Sequence, residues 1–239
     1  MDRIWKLYGL NNSLPLADQP IADFYQHPVW LMNGIFTQLD PESMQHRRTI
    51  AEYLRDASVH NIADYGGGFG ELSLAIVATN NTAKVSIIEP YPSQAGLERI
   101  RNRPSIRFKS GLGKDYFDAI VAQDVLEHVE DPIELAWRLA NSVQENGLVI
   151  FANCFHPFIL CHLPATFHLR HSFRWIMRSM GLEYIGVVSG APHAQVFRRK
   201  RSLTLHRARY LEHCSRLLGP ILNSMFKLLS LSKQKLRGQ

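Results

Sequence analysis

The chain has 239 residues, 46% of them hydrophobic and 20% charged, with a formal net charge of +6. That length can bury one substantial core plus appendages. No apolar run approaches the roughly 18 residues of a membrane-spanning helix, and three cysteines, Cys154, Cys161 and Cys214, exclude a disulfide framework.

Residues 1–40 read as irregular and aromatic, with Trp5, Tyr8, Phe24, Tyr25, Trp30 and Phe36 among prolines at 15, 20 and 28. Two readings stand: a lid over a substrate cleft, or a segment that only packs its aromatics on the body. The first six residues lack the apolar region of a signal peptide, which with the cysteine usage predicts a reducing, cytoplasmic setting.

A helix is expected over 41–57, with Asp40 as its cap, Pro41 in its first turn and Met44, Ile50, Ala51 and Leu54 on one face. Strand one follows at Asn61–Asp64, then a glycine-rich turn and a helix from about Glu71 to Ala78. Strand two is Lys84–Glu89, a helix covers Ser93–Arg101, strand three is Ile106–Lys109 and strand four is Phe117–Ala122. A helix at Pro132–Ser142 precedes strand five, Leu148–Asn153. Ser172–Met180 reads as a helix ended by Gly181, and Tyr184–Ser189 and Ala194–Arg198 as short closing strands. Strands alternating with helices at this interval predict an α/β fold, a parallel sheet with helices on both faces.

The most informative stretch is the turn after strand one, Asp64-Tyr65-Gly66-Gly67-Gly68-Phe69-Gly70-Glu71. Its glycines let the backbone turn tightly and approach a ligand, and the following helix points its first amides at whatever sits there. Glu89, closing strand two, can accept hydrogen bonds from a ribose diol. A dinucleotide fingerprint, Gly-x-Gly-x-x-Gly, would require a third glycine where Glu71 stands. The pattern Asp64-x-Gly66-x-Gly68-x-Gly70 instead resembles motif I of the class I S-adenosylmethionine-dependent methyltransferases. That resemblance implies a Rossmann-like sheet of seven strands, the last antiparallel, over about residues 41–198. It also implies that the turn lies under the methionine part of S-adenosylmethionine and that the acid after strand two holds the ribose. Asp64, Gly66, Gly67, Gly68, Gly70, Glu89 and Pro90 are thus expected on the cofactor.

Phe117 through Pro132 is similar to the fourth-strand segment of many small-molecule methyltransferases, with Gln123 and Asp124 leaving the strand on the cofactor side. Asp124, Glu127 and His128 have Asp-x-x-Glu-His spacing. Some quinone-precursor O-methyltransferases carry a similar Glu-x-x-Glu-His arrangement that binds a divalent cation, so Mg²⁺ or Mn²⁺ is conceivable here. The favoured expectation has no metal: Glu127 and His128 shape the cleft, or His128, with an ordinary pKa of about 6.5, takes a proton from a substrate hydroxyl.

Strand three departs from the family pattern. Relatives place an acid after it to hold the adenine, whereas Lys109-Ser110-Gly111-Leu112-Gly113 contains none, leaving Ser110, Gly111 and backbone groups to serve. Past strand five, Cys154, His156, Cys161 and His162 match no common zinc spacing. Leu163 through Phe173 resembles the segment before the last helix in the same group, where substrate contacts are common, so His156 and His168 are second-rank base candidates.

Residues 198–239 carry eleven Lys/Arg against one acid, Glu212, so the body is mildly acidic and the tail strongly basic. Apolar positions from Ile221 to Leu231 cluster at helical spacing, with Gly219-Pro220 expected to interrupt the helix. The tail could lie on an anionic membrane, pack on the body or a second subunit, or, third in rank, contact nucleic acid.

Three segments result: an N-terminal lid at 1–40, a methyltransferase domain at 41–198 and a basic amphipathic helical tail at 199–239. The expected activity is S-adenosylmethionine-dependent methyl transfer to a small-molecule or lipid-linked acceptor, at oxygen for preference, with His128, Glu127 and His156 as catalytic candidates. RNA methylation guided by the tail, or a non-catalytic cofactor-binding module, are the alternatives.

Overall fold

The structure, a computed structural model, describes residues 1–112, 116–200 and 202–237, with side chains as far as Ser224. Gly113 of the strand-three segment, Arg201 and the tail side chains from Met225 onward lie outside the described residues.

Seven strands form one sheet in the order β3-β2-β1-β4-β5-β7-β6. They are β1 (Asn61–Tyr65), β2 (Lys84–Ile88), β3 (Ile106–Lys109), β4 (Phe117–Gln123), β5 (Val143–Ala152), β6 (Leu182–Val188) and β7 (Ala191–Arg199). The pairs among β1 to β5 are parallel, and β7 runs antiparallel to both neighbours, β5 and β6. The chain thus has the expected Rossmann-like architecture, with one reversed strand.

Both faces of the sheet are buried, which is why its strands read as continuous apolar runs. Ile62, Val85, Ala119, Val121 and Ile150 point to one side, against Ile50, Ala51 and Leu54 of α4 (Pro41–Asp56) and Leu72 and Ile76 of α5 (Glu71–Thr79). Ala63, Ile120, Ala122, Val149 and Phe151 point to the other, against α7 (Pro132–Asn141) and α8 (Phe173–Met180). The helix starts follow local chemistry. Asp40 accepts from the Ser43 amide at 2.8 Å, Ser93 from Gly96 at 3.0 Å ahead of α6 (Gln94–Ile100), and Asp131 from Glu134 at 3.0 Å. Asp118 binds β1 to β4, accepting from the His60 amide at 2.9 Å and the Asn61 amide at 2.8 Å.

Three sequence expectations need correction. Residues 1–40 are helical rather than irregular: α1 (Asp2–Leu7), α2 (Asp18–Gln26) and α3 (Val29–Leu39). Pro20 falls in the first turn of α2 and Pro28 caps α3, where a missing amide costs nothing. β5 begins at Val143, ahead of the expected Leu148, and runs through Asn146 in the left-handed region (φ 65°). The tail is one continuous helix, α9 (Leu205–Arg237), running through Pro220. It is pinned to the body before that proline by Arg209, Glu212 and Ser215, and at Gly219 a Cβ would come within 3.0 Å of the His168 main chain.

Candidate active site

The site lies outside the carboxyl ends of β1, β2 and β4, where an open α/β sheet binds its ligands. At the end of β1 the chain enters the glycine turn. A Cβ on Gly67 would sit 2.7 Å from the Asp64 carboxyl, so this position closes against the protein. Gly68 is its opposite: at φ 50°, an ideal Cβ there meets no protein atom within 4 Å. The turn therefore presents a cradle, open on the side that a side chain would fill.

Two carboxylates hold this cradle from beneath and beside. Asp64 is buried and accepts from the Ser73 hydroxyl of α5 at 2.6 Å, with burial raising its pKa to about 6 despite that bond. Its role is to prop the turn from inside. Glu89 accepts from the Gly68 amide at 3.2 Å and from the Tyr91 amide at 3.1 Å. Burial raises its pKa, while the two amides oppose the shift. A carboxylate fixed by two amides, with lone pairs to spare at the rim of an open glycine turn, fits the ribose diol of a nucleoside. No acid stands among the described residues after β3; Ser110 and Gly111 are exposed there, beside an open space that Gly111 leaves.

The second half of the site leaves β4. Asp124 takes a left-handed conformation (φ 53°), its amide donating to the Ala152 carbonyl at 2.7 Å. Burial raises its pKa, and His193 of β7 counters this most strongly among the nearby groups. A 3-10 turn, Leu126–His128, then carries Glu127 inward and His128 beneath the N-terminal helices. Glu127 is wholly buried; one carboxyl oxygen accepts from the Cys154 amide at 2.7 Å and the other, Oε2, has no partner. Burial, and then the charge of Asp124, push its pKa up to about 8. His128 pairs through Nδ1 with the Cys161 carbonyl at 3.0 Å. Burial, and then His162, push its pKa down to about 3, well below the ordinary value expected of a free imidazole. At neutral pH the geometry thus holds a protonated Glu127 beside a neutral His128.

Sequence reasoning gave His162 no part here except as a zinc ligand, yet it completes the cluster. Its ring lies 4.8 Å from that of His128, and its Nδ1 pairs with the His156 carbonyl at 2.7 Å. Donor atoms of Glu127, His128 and His162 lie within 4.8 Å of one another, the one such group of three among the described residues. Of the four residues weighed for zinc, only His162 joins this group; Cys154, His156 and Cys161 stand outside it, and burial pushes the two thiols up to about 11 and about 12. His156 contributes its carbonyl, while its ring stacks on exposed Phe158 at 5.6 Å, away from His128. His168 faces Glu212 of α9 at 3.8 Å, so the structure gives it to helix docking.

Aromatic side chains from α2 and α3 roof the cluster. Tyr25 stacks on Tyr91 at 6.1 Å, and the rings of Tyr25 and Trp30 lie 6.4 and 6.3 Å from His128. Burial raises the Tyr25 phenol well above its ordinary range, with Glu127 and Glu89 both near enough to add to the shift. Tyr25 thus stands between the two halves of the site. The only signal for this in the sequence is the aromatic density of the first forty residues.

A reversed seventh strand, a glycine turn after β1 and an acid after β2 together define a class I S-adenosylmethionine-dependent methyltransferase. Residues 39–203 match the model of a methyltransferase domain family, and the chain belongs to that family. No curated protein matches the sequence. Among solved structures, the plantazolicin methyltransferase BpumL in complex with SAH aligns with a TM-score of 0.54 at 12% identity, over 83% of this chain and 98% of that one. The mitomycin 7-O-methyltransferase MmcR aligns with a TM-score of 0.53 at 15% identity, over 83% of this chain but only 60% of its own. A putative methyltransferase from Haloferax volcanii, solved with the Trm112 activator, gives 0.52 at 13% identity, over 72% and 97%. At such identities these likenesses concern the fold.

Proposed function

We propose that the chain binds S-adenosylmethionine over the Gly66–Gly70 turn and transfers its methyl group to a hydroxyl oxygen of a small-molecule or lipid-linked acceptor. The observation that carries this reading is the Glu89 carboxylate, fixed by the Gly68 and Tyr91 amides beside a turn that leaves open space at Gly68. The bound cofactor supplies an electrophilic methyl on a good sulfonium leaving group. Glu89 and Pro90 take the ribose side, the glycine turn the methionine side, and Ser110 and Gly111 the adenine side. Asp124 and Gln123, leaving β4, would also contact the cofactor, and the roof of Tyr25 and Trp30 would exclude water and help to orient the acceptor. His128, neutral at physiological pH and held through Nδ1 by the Cys161 carbonyl, accepts the hydroxyl proton at Nε2. Glu127 stabilises the imidazolium in its ionised form, its own proton having gone to solvent, and His128 then returns its proton to solvent. This pairing replaces the isolated histidine base of the sequence reading, because burial makes His128 alone too weak. Transfer to oxygen has a precedent on the same fold in the mitomycin 7-O-methyltransferase.

Calorimetric titration with S-adenosylmethionine tests the cofactor assignment: the wild-type chain binds, and Glu89→Ala weakens binding at least tenfold. Failure of the folded wild-type chain to bind would overturn it. A mass-spectrometric screen of pooled metabolites for the gain of one methyl group then identifies the acceptor.

A second reading is favoured by two observations: Oε2 of Glu127 is buried without a partner, and a ligand atom of Glu127 lies within 4.8 Å of those of His128 and His162. One carboxylate and two imidazoles suit a divalent transition ion such as Mn²⁺ or Zn²⁺, which would polarise the acceptor hydroxyl in place of a base. Turnover abolished by a chelator and restored by Mn²⁺ supports it; unchanged turnover in the chelator removes it.

A further inference from the structure

Helix α9 begins beyond the residues matched by the methyltransferase family, 39–203, and so adds to the fold rather than completing it. Its 33 residues span about 50 Å at the ordinary helical rise. The first half docks on the body along one stripe. Ala208, Glu212, Ser215 and Gly219 are buried at spacings of four, three and four, the signature of a single helix face. Ser215 donates to the His168 carbonyl at 2.8 Å, Arg209 pairs with Asp131, and Gly219 lets the helix touch the His168 main chain.

The apolar residues that follow belong to a different face. Leu217, Leu218 and Ile221 are 66%, 54% and 58% exposed, so among the described residues nothing covers them. Roughly two-fifths of a turn separates Leu217, Leu218 and Ile221 from the docked stripe. The sequence carries apolar residues again at 225, 228 and 229. From residue 213 to the last residue the chain carries Arg216, Lys227, Lys233, Lys235 and Arg237 and no acid. The exposed apolar patch of Leu217, Leu218 and Ile221, on a helix end whose sequence is basic and acid-free, suits a lipid surface with negative headgroups, apolar residues in the acyl boundary and cations among phosphates. A second copy would bring the same positive charge against itself, and leucine, isoleucine and methionine offer nucleic acid nothing to stack on.

We infer that α9 from Leu217 onward is a docking helix for anionic lipid. The body rides beside it, held by the Arg209–Asp131 pair and the Gly219 contact. The inference rests on the geometry of α9 and is independent of methyl transfer, so it is read without cofactor or acceptor. The full chain is sedimented with vesicles of phosphatidylcholine alone and of phosphatidylcholine mixed with phosphatidylglycerol. The expected result is pelleting with the mixed vesicles only. Replacing Lys227, Lys233, Lys235 and Arg237 by Gln lowers partitioning by roughly a hundredfold or more. Leu218→Asp with Ile221→Asp abolishes it while leaving the melting temperature unchanged, since both side chains are exposed. Equal pelleting with both vesicle types, or with neither, overturns the inference. So does a dimer in light scattering that dissolves in the Leu218→Asp, Ile221→Asp chain, which would assign the stripe to a second copy.

Discussion

Gly67 and Gly68 are neighbours with opposite sensitivities, and the contrast separates folding from binding. A methyl group at 67 must displace the buried Asp64 carboxyl, so Gly67→Ala is expected to destabilise the chain by about 2 kcal/mol, read as a lowered midpoint in urea. At 68 the added methyl meets no protein atom, so Gly68→Ala costs about 1 kcal/mol of left-handed strain. It should nevertheless weaken S-adenosylmethionine at least tenfold by calorimetry, because the methyl enters the cradle. Ser73→Ala removes the donor that holds Asp64 at 2.6 Å and is expected to cost about 1–3 kcal/mol. Glu127 carries a pH signature. Its carboxyl titrates near 8 in the fold against 4.5 in the open chain, so folding favours the protonated form. That contribution is complete below the unfolded value and lost as pH rises through the folded one. Between about pH 5 and about pH 9 the wild-type melting temperature should fall, and Glu127→Gln should flatten that slope.

At the scale of elements, what was legible depended on how each segment is buried. β1, β2 and β4 pack on both faces, so their apolar runs could be read from the sequence to within a residue or two, whereas β5 starts five residues ahead of the expected Leu148. The second-strand acid and the glycine turn were readable too, because local sequence alone dictates their spacing. The helices of residues 1–40 were not. They are short, and Pro20 and Pro28 at their starts imitate breakers. Pro220 misled in the same way, since the contacts that carry α9 through it come from His168 and Asp131, far away in sequence. His162 escaped notice because it meets His128 only through a loop fold thirty-four residues on. The docking of α9 can be tested directly: Gly219→Val is expected to destabilise the chain by 1–3 kcal/mol, seen as faster amide exchange along residues 205–219.

For the molecule as a whole, the charge of +6 conceals a division between an acidic body and a basic appended helix. Total charge therefore misdescribes either part, and salt should act on them separately. Raising ionic strength is expected to weaken cofactor binding less, because Glu89 is half-buried and fixed by two amides, than any attachment made through α9. Calorimetry and vesicle sedimentation at low and high salt check the two halves of that statement.

A close contact ties α3 to the glycine turn. Gly34 of α3 lies so near the Phe69 ring that a Cβ there would sit 2.6 Å from it, and Phe69 is a member of the glycine turn itself. The N-terminal helices therefore meet the glycine turn at this ring, as they meet the segment after β2 through the Tyr25–Tyr91 stack. A larger side chain at residue 34 is accordingly expected to disturb the glycine turn as well as α3, two segments more than thirty residues apart in sequence.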